Sequence, residues 1–141
     1  MAIFKFCKAI FAGAPITVYN HGHMQRDFTY VDDIVQGIVR ILQAPPEPLT
    51  GSNDSNVSPY YRIYNIGHNQ PVELLTLIRL LEEKIGRKAN IEMLEMQPGD
   101  VPVTYADIGR LATQFGYTPQ TSIEEGIGRF VDWYRAYFKP A

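Results

Sequence analysis

One cysteine, Cys7, stands in 141 residues, so no intrachain disulfide, CxxC redox pair or cysteine-based zinc site is possible. A reducing, cytoplasmic setting is the simplest reading. No glycines fall in a GxxGxxG or GxGxxG arrangement, which excludes a dinucleotide loop of that type. No tyrosine stands four residues before a lysine: Lys5, Lys8, Lys84, Lys88 and Lys139 have Met1, Phe4, Leu80, Lys84 and Arg135 there. Neither a GxSxG elbow nor a Walker loop occurs. No charge of one sign dominates, and the formal net charge of −2 gives no electrostatic reason to expect nucleic acid or an anionic membrane as partner. Uncharged apolar runs fall short of the roughly 18 residues a membrane helix needs. The opening MAIFKFCKAIFAGA is interrupted by Lys5 and Lys8 and makes a poor signal-peptide core.

What is present suits one α/β domain with a real core. Residues 1–12 read as a helix with Ile3, Phe4, Cys7, Ile10 and Phe11 on its apolar face, closed by Gly13. Ile16–Tyr19 reads as a strand, 20–25 as a polar turn, and Asp27–Val31 as a second strand. Asp32 or Asp33 then caps a helix whose core face is Ile34, Val35, Ile38, Val39, Ile41 and Leu42. Residues 45–59 carry prolines and small polar side chains and read as a long surface loop. YRIYNI at 61–66 has the nearly continuous apolar pattern of a central strand covered on both faces. Pro71 opens a helix stopped by Gly86, 90–94 alternates as a half-buried strand, and Asp107–Phe115 is a short helix. Thr121-x-x-Glu124 has the form of a capping box for a last helix through Phe138, with Ile123, Ile127, Phe130 and Tyr134 inward. About four short strands are few for a parallel sheet, which usually has about five or six. The pattern hints that part of the sheet lies outside these residues.

The densest chemistry lies in VYNHGHMQRDFTYVDD, residues 18–33. Arg26 at the end of a polar turn is suited to hold two phosphate oxygens in a fork, or to pair with Asp27 or Asp32 as an ordinary surface arginine. Tyr19 is suited to stack on a planar base, or to fill a core. His21 and His23, one residue apart in a turn, lack a carboxylate or cysteine placed to complete a metal site. His68 follows Gly67 at a strand end, where α/β proteins often place ligands; the plainer reading is a loop histidine. Asp100, in the rigid turn QPGDVP, is suited either to a sugar diol or to an Asx turn that holds only itself.

The phrases MAIFKFCKAI, YNHGHMQRDFTYVDDIVQG, YNIG and MQPGDVPVTYAD together resemble the C-terminal part of extended short-chain dehydrogenase/reductases that act on nucleotide sugars. Within that NAD-dependent epimerase/dehydratase family the resemblance is to bacterial UDP-glucuronate 4-epimerases, and it covers nearly the whole chain. It implies that residues 1–141 form a single C-terminal nucleotide-sugar-binding portion. The NAD-binding Rossmann half, with its Tyr-x-x-x-Lys pair, would lie upstream of Met1, and YRIYNI would join that half's parallel sheet. Arg26 would bind the UDP diphosphate, Thr17 and Tyr19 would lie along the uracil, and Asp100 would meet the ribose or phosphate end. Gln97 stands where many relatives have arginine, leaving Arg26 more of the charge. The parent enzyme would use NAD and form a homodimer, whereas this chain alone would bind no NAD and would be inactive. A non-catalytic UDP-sugar-binding or subunit-packing module, or part of a nucleotide-sugar dehydratase or decarboxylase, are the other readings.

Overall fold

The computed structural model describes residues 2–44 and 62–140; the loop expected at 45–59 and Tyr61 lie outside them. Helix α1 (Ala2–Ala12) leads directly into strand β1 (Pro15–Tyr19), and a tight turn at Asn20–Gly22 leads to β2 (Gln25–Asp27). Helix α2 spans Val31–Gln43, followed by β3 (Pro71–Glu73), α3 (Leu74–Ile85), β4 (Asn90–Leu94), α4 (Gly109–Phe115) and α5 (Ile123–Phe138). Among the described residues the strands form two separate pairs. β1 runs parallel to β4, with Pro15 opposite Asn90 and Tyr19 opposite Leu94. β2 runs antiparallel to β3, with Arg26 opposite Val72.

The main core lies among α1, β1, α3 and α5. Cys7, Val18, Leu77, Leu81 and Val131 are fully buried there, because each falls on the inward stripe of its helix or the inward face of its strand. Phe6 also joins this core, although the spacing placed it off the apolar face. Phe11 stacks on Tyr134, and Phe4 meets Tyr134 edge to face. A smaller cluster of Ile108, Leu111 and Tyr117 receives Tyr64 and Ile66.

Several boundaries differ from the sequence reading. The second strand starts at Gln25 and stops at Asp27, so Phe28 and Tyr30 follow it rather than belong to it. Pro71 opens β3, and its helix begins three residues later at Leu74, since Leu74 N donates to Met24 O and continues the pairing with the β2 side. β4 is exposed at all five positions because β1 is its one ladder partner among the described residues. Residues 62–66 join no ladder with any described residue. Tyr64 and Ile66 are covered by the Tyr117 cluster while Ile63 is 64% exposed, so the segment is covered on one side only. The last helix is capped by Ser122, whose hydroxyl accepts from Glu125 N at 3.2 Å, one residue beyond the expected cap at Thr121.

Helix α2 departs most. Neither expected cap acts on its own helix: Asp32 pairs with Arg129 at 3.2 Å. Asp33, 1% exposed, accepts from Gln120 N and Thr121 N at 3.0 and 3.1 Å. The helix packs by the face of Asp33 and Gly37. A Cβ at Gly37 would lie 3.2 Å from Tyr117 and 3.4 Å from Ile66, so hydrogen there lets the helix approach closely. Of the six residues read as core, Ile34 and Ile41 are half-buried, Ile41 against the Tyr117 cluster, whereas Val35, Ile38, Val39 and Leu42 point outward at 50%, 45%, 41% and 75% exposed.

Burial gives Cys7 a measurable signature. Desolvation, partly offset by the Arg135 charge, pushes its thiol from 9.0 up to about 11. A group held protonated by the fold stabilises it below its unfolded pKa and loses that contribution as pH rises through the folded one. Cys7 should account for roughly 2 kcal/mol of the stability lost between pH 9 and pH 11, measured by urea unfolding, so that the loss is smaller by that amount in Cys7→Ala, with the buried tyrosines supplying the remainder. At pH 8 a thiol reagent should label the native chain far more slowly than the unfolded one.

Candidate functional site

The turn after β1 is closed by local bonds: His23 N donates to Asn20 O at 2.8 Å, and Asn20 Nδ2 donates to His23 O at 2.8 Å. It delivers the chain to β2, which is held on both edges. On one edge β2 pairs with β3; on the other, Gln25 N donates to Pro102 O at 2.7 Å and Thr104 N donates to Gln25 O at 3.1 Å. Arg26 is thus fixed by backbone on two sides before its guanidinium makes any contact.

That guanidinium donates from Nη1 to Gln25 O (2.8 Å) and Pro102 O (3.3 Å) and from Nη2 to Asp100 Oδ1 (2.9 Å). Its ion-pair partner is therefore Asp100, from the QPGDVP turn, rather than Asp27 or Asp32. Asp100 Oδ1 also accepts from Val101 N at 2.9 Å, one residue short of the bond that defines an Asx turn, and because the same oxygen holds Arg26 the carboxylate does more than hold its own turn. Both partners are partly exposed, 25% and 35% at the side chain.

Arg26, Asp100, Thr17 and Tyr19 line one open cavity of about 560 Å³, a size suited to a nucleotide-sized ligand. Ile16, Met24, Phe28 and Leu74 supply apolar wall, and α1 adds to it through Ala2, Lys5, Phe6 and Ala9. Gln97 is not among the lining residues. It is exposed at the start of the turn, where its carbonyl accepts from Asp100 N at 3.2 Å. Four of the five candidate residues are brought together, and the fifth is placed where it shapes the turn instead. Sequence reasoning missed the α1 wall. Residues 2, 5, 6 and 9 have the i, i+3, i+4, i+7 spacing of one helical stripe, legible beside the stripe of 3, 4, 7, 10 and 11.

Behind the cavity, Asp27 accepts three backbone bonds: from His68 N at 3.2 Å, and from Asn69 N and Ala106 N at 3.1 Å each. Its own N–H donates to Thr104 Oγ1 at 3.2 Å. Gly67 packs against this knot, where a Cβ would fall 2.3 Å from Ala106 Cβ and 3.0 Å from Asp27 Oδ2. Tyr117 donates to Gly67 O at 3.0 Å. Burial first, then the charges of Asp33 and Asp27, raise its pKa, so the hydroxyl stays a donor at neutral pH. His68 enters this arrangement through its backbone. His21 instead faces Glu95, 3.0 Å away.

A family model described as GDP-mannose 4,6 dehydratase matches residues 1–130. The chain belongs to this family. Protein CapI of Staphylococcus aureus is 46% identical over 144 residues, spanning 99% of this chain and 43% of that protein. A probable UDP-glucuronate 4-epimerase of Rhizobium meliloti is 43% identical over 152 residues, spanning all of this chain and 43% of that protein. Among solved structures, UDP-glucuronic acid 4-epimerase from Bacillus cereus, in complex with UDP-glucuronic acid and NAD, matches 96% of this chain and 40% of its own. The TM-score is 0.79 at 28% identity. The α/β class expected for the C-terminal part of an extended Rossmann-type enzyme agrees with that family structure. The chain spans less than half the length of these relatives.

Asp27→Asn should remove an acceptor from the Asp27 knot and lower stability by about 1–3 kcal/mol in urea unfolding. Asp32→Asn, in an exposed ion pair, should change it by less than about 1 kcal/mol. Equal effects would show that Asp27 is no more structural than a surface carboxylate.

Proposed function

We propose that this chain is the UDP-sugar-binding portion of an NAD-dependent nucleotide-sugar epimerase, of the type converting UDP-glucuronate to UDP-galacturonate. By itself it binds and does not turn over. The observation that supports this most directly is the convergence of Arg26, Asp100, Thr17 and Tyr19 on one cavity. In this reading the Arg26 fork takes diphosphate oxygens, Thr17 and Tyr19 lie along the uracil, and Asp100 accepts from the ribose end. Gln97 acts by setting the turn that carries Asp100. The relatives named as epimerases favour that reaction over the dehydration for which the family model is named. Both chemistries would use the same nucleotide handle.

The residues described do not fit NAD. The glycine after β1, Gly22, is closed against Leu75, whose side chain a Cβ would meet at 2.6 Å, leaving no open backbone cradle there for a pyrophosphate. With neither GxxGxxG nor Tyr-x-x-x-Lys in the sequence, no hydride or proton step is assigned to this chain. The NAD-binding half of such an enzyme is the proposed partner, and its place is the outward apolar stripe of α2. A stripe of four aliphatic side chains left 41–75% exposed marks an interface, and the relatives carry more than half their length beyond the matched region.

Calorimetric titration with UDP should give micromolar binding to the whole chain. Arg26→Ala should weaken it by at least about tenfold, the loss of charge-assisted bonds worth roughly 1.5–3 kcal/mol. Incubating the chain with NAD and UDP-glucuronate should yield no UDP-galacturonate. Product would overturn the claim that the chemistry lies elsewhere, and absence of UDP binding would overturn the nucleotide site.

A further inference from the structure

Arg26 does not bring a free charge to the cavity. Its guanidinium is already spanned by two carbonyls and by the Asp100 carboxylate at 2.9 Å, so the Arg26–Asp100 pair is close to neutral as a unit. Each phosphate of a nucleoside diphosphate carries negative charge, and a neutral pair orients such a group better than it offsets it. Gln97 is neutral and does not line the cavity. One further cation does. Lys5 projects from α1 into the same lining, one helical turn from Ala2 and from Ala9. The alanines leave the wall open on either side of it. Among the described residues Lys5 has no hydrogen-bond or ion-pair partner. Its four-carbon stem gives an ammonium the reach to follow a ligand that a fixed fork lacks.

We infer that Lys5 is the second cation of this site and offsets the charge of the diphosphate, while Arg26 sets its orientation. The inference rests on the nucleotide reading of the cavity and adds a division of labour to it: a rigid, internally paired arginine on β2 and a lysine on α1 that has no partner among the described residues. It also explains how the site does without a cation at Gln97. Because Lys5 is exposed on a helix and glutamine has similar helix propensity, Lys5→Gln removes the charge without threatening the fold.

Titrations of the full chain with uridine, UMP, UDP and UDP-glucuronate, for wild type, Lys5→Gln, Lys5→Arg and Arg26→Ala, test this. Lys5→Gln should weaken UDP by about tenfold and uridine by less than about twofold, and should flatten the salt dependence of UDP binding. Lys5→Arg should stay within about threefold of wild type. Unchanged UDP affinity in Lys5→Gln, with binding lost in Arg26→Ala, would overturn the role of Lys5 and leave the nucleotide site standing. An equal loss for uridine and UDP would mean that Lys5 acts by packing rather than by charge. A loss for UDP-glucuronate with none for UDP would move its charge to the sugar carboxylate. If wild type binds none of the four ligands, the nucleotide reading falls, and the Lys5 inference with it.

Discussion

The carboxylate of Asp27 ties together three stretches of chain that are remote in sequence: β2 itself, the turn at His68 and Asn69, and the strand-like run ending at Ala106. A half-buried carboxylate that accepts three backbone N–H groups is held more firmly than any neutral acceptor would be. Such donors also leave it little reason to leave the site. The position of Arg26 follows from this. Its neighbour in sequence is pinned, its own backbone pairs with Val72, and Pro102 is drawn to the other edge of β2 by the bond from Gln25. The guanidinium then meets Asp100 without large adjustment. Gly67 is part of the same constraint, because any side chain there would enter the space of Ala106 and Asp27.

The knot also explains the orientation of α2. Tyr117 bonds to Gly67 O and packs on Gly37, while Asp33 holds the amides of Gln120 and Thr121. Two polar anchors and one glycine contact thus commit the Asp33 face of α2 to the protein. A helix offers one face to one neighbour, so the aliphatic face is left for another. At about 25 cal/mol per Å² of apolar surface, leaving Val35, Ile38, Val39 and Leu42 partly in water forfeits about two side chains' worth of burial. In the proposed reading, that surface is covered by the portion the relatives carry beyond the matched region.

The alternation of helices and strands, the ends of α1, α3 and α4, and the stripe on α5 were legible because periodicity and glycine stops report on local geometry. The failures have a common physical origin. Asp32, Asp33 and Thr121 all look like caps, yet Asp33 serves the residues before α5 and Ser122 takes the cap of α5. Local sequence shows what a polar side chain is able to bond, and tertiary contacts decide which donor it meets. Of the α2 stripe, Ile34 and Ile41 are half-buried as expected, while Val35, Ile38, Val39 and Leu42 were assigned to the wrong side, since a hydrophobic stripe says that a face is to be covered and not by which chain. For the site, Arg26, Thr17, Tyr19 and Asp100 were within reach of family phrases. The Arg26–Asp100 pair was not, because 74 residues separate the two and no local pattern links them. Lys5 escaped for a different reason: in a helix read for its core, a lysine on the other face looks like ordinary solvated charge.

The division between this chain and the rest of its relatives has a chemical logic. The nucleotide part of a nucleotide sugar takes no part in the reaction, yet binding energy gathered on a non-reacting part can position the reacting sugar. For that to work, the handle must be gripped by something rigid relative to the chemistry. Under the proposed nucleotide reading, Arg26 would meet the requirement, being fixed by two strand edges and the Asp27 knot, and a flexible lysine alone would not. The rigidity has a cost in charge, because the contacts that immobilise Arg26 include a carboxylate that also neutralises it. A site that needs both fixed geometry and positive charge is then better served by two cations than by one. The same reasoning bears on α2. In the proposed function, grip at Arg26 would position a sugar for a distant catalytic group only with the two portions locked together, and the aliphatic stripe of α2, held from behind by Asp33 and Gly37, would be the surface of that lock.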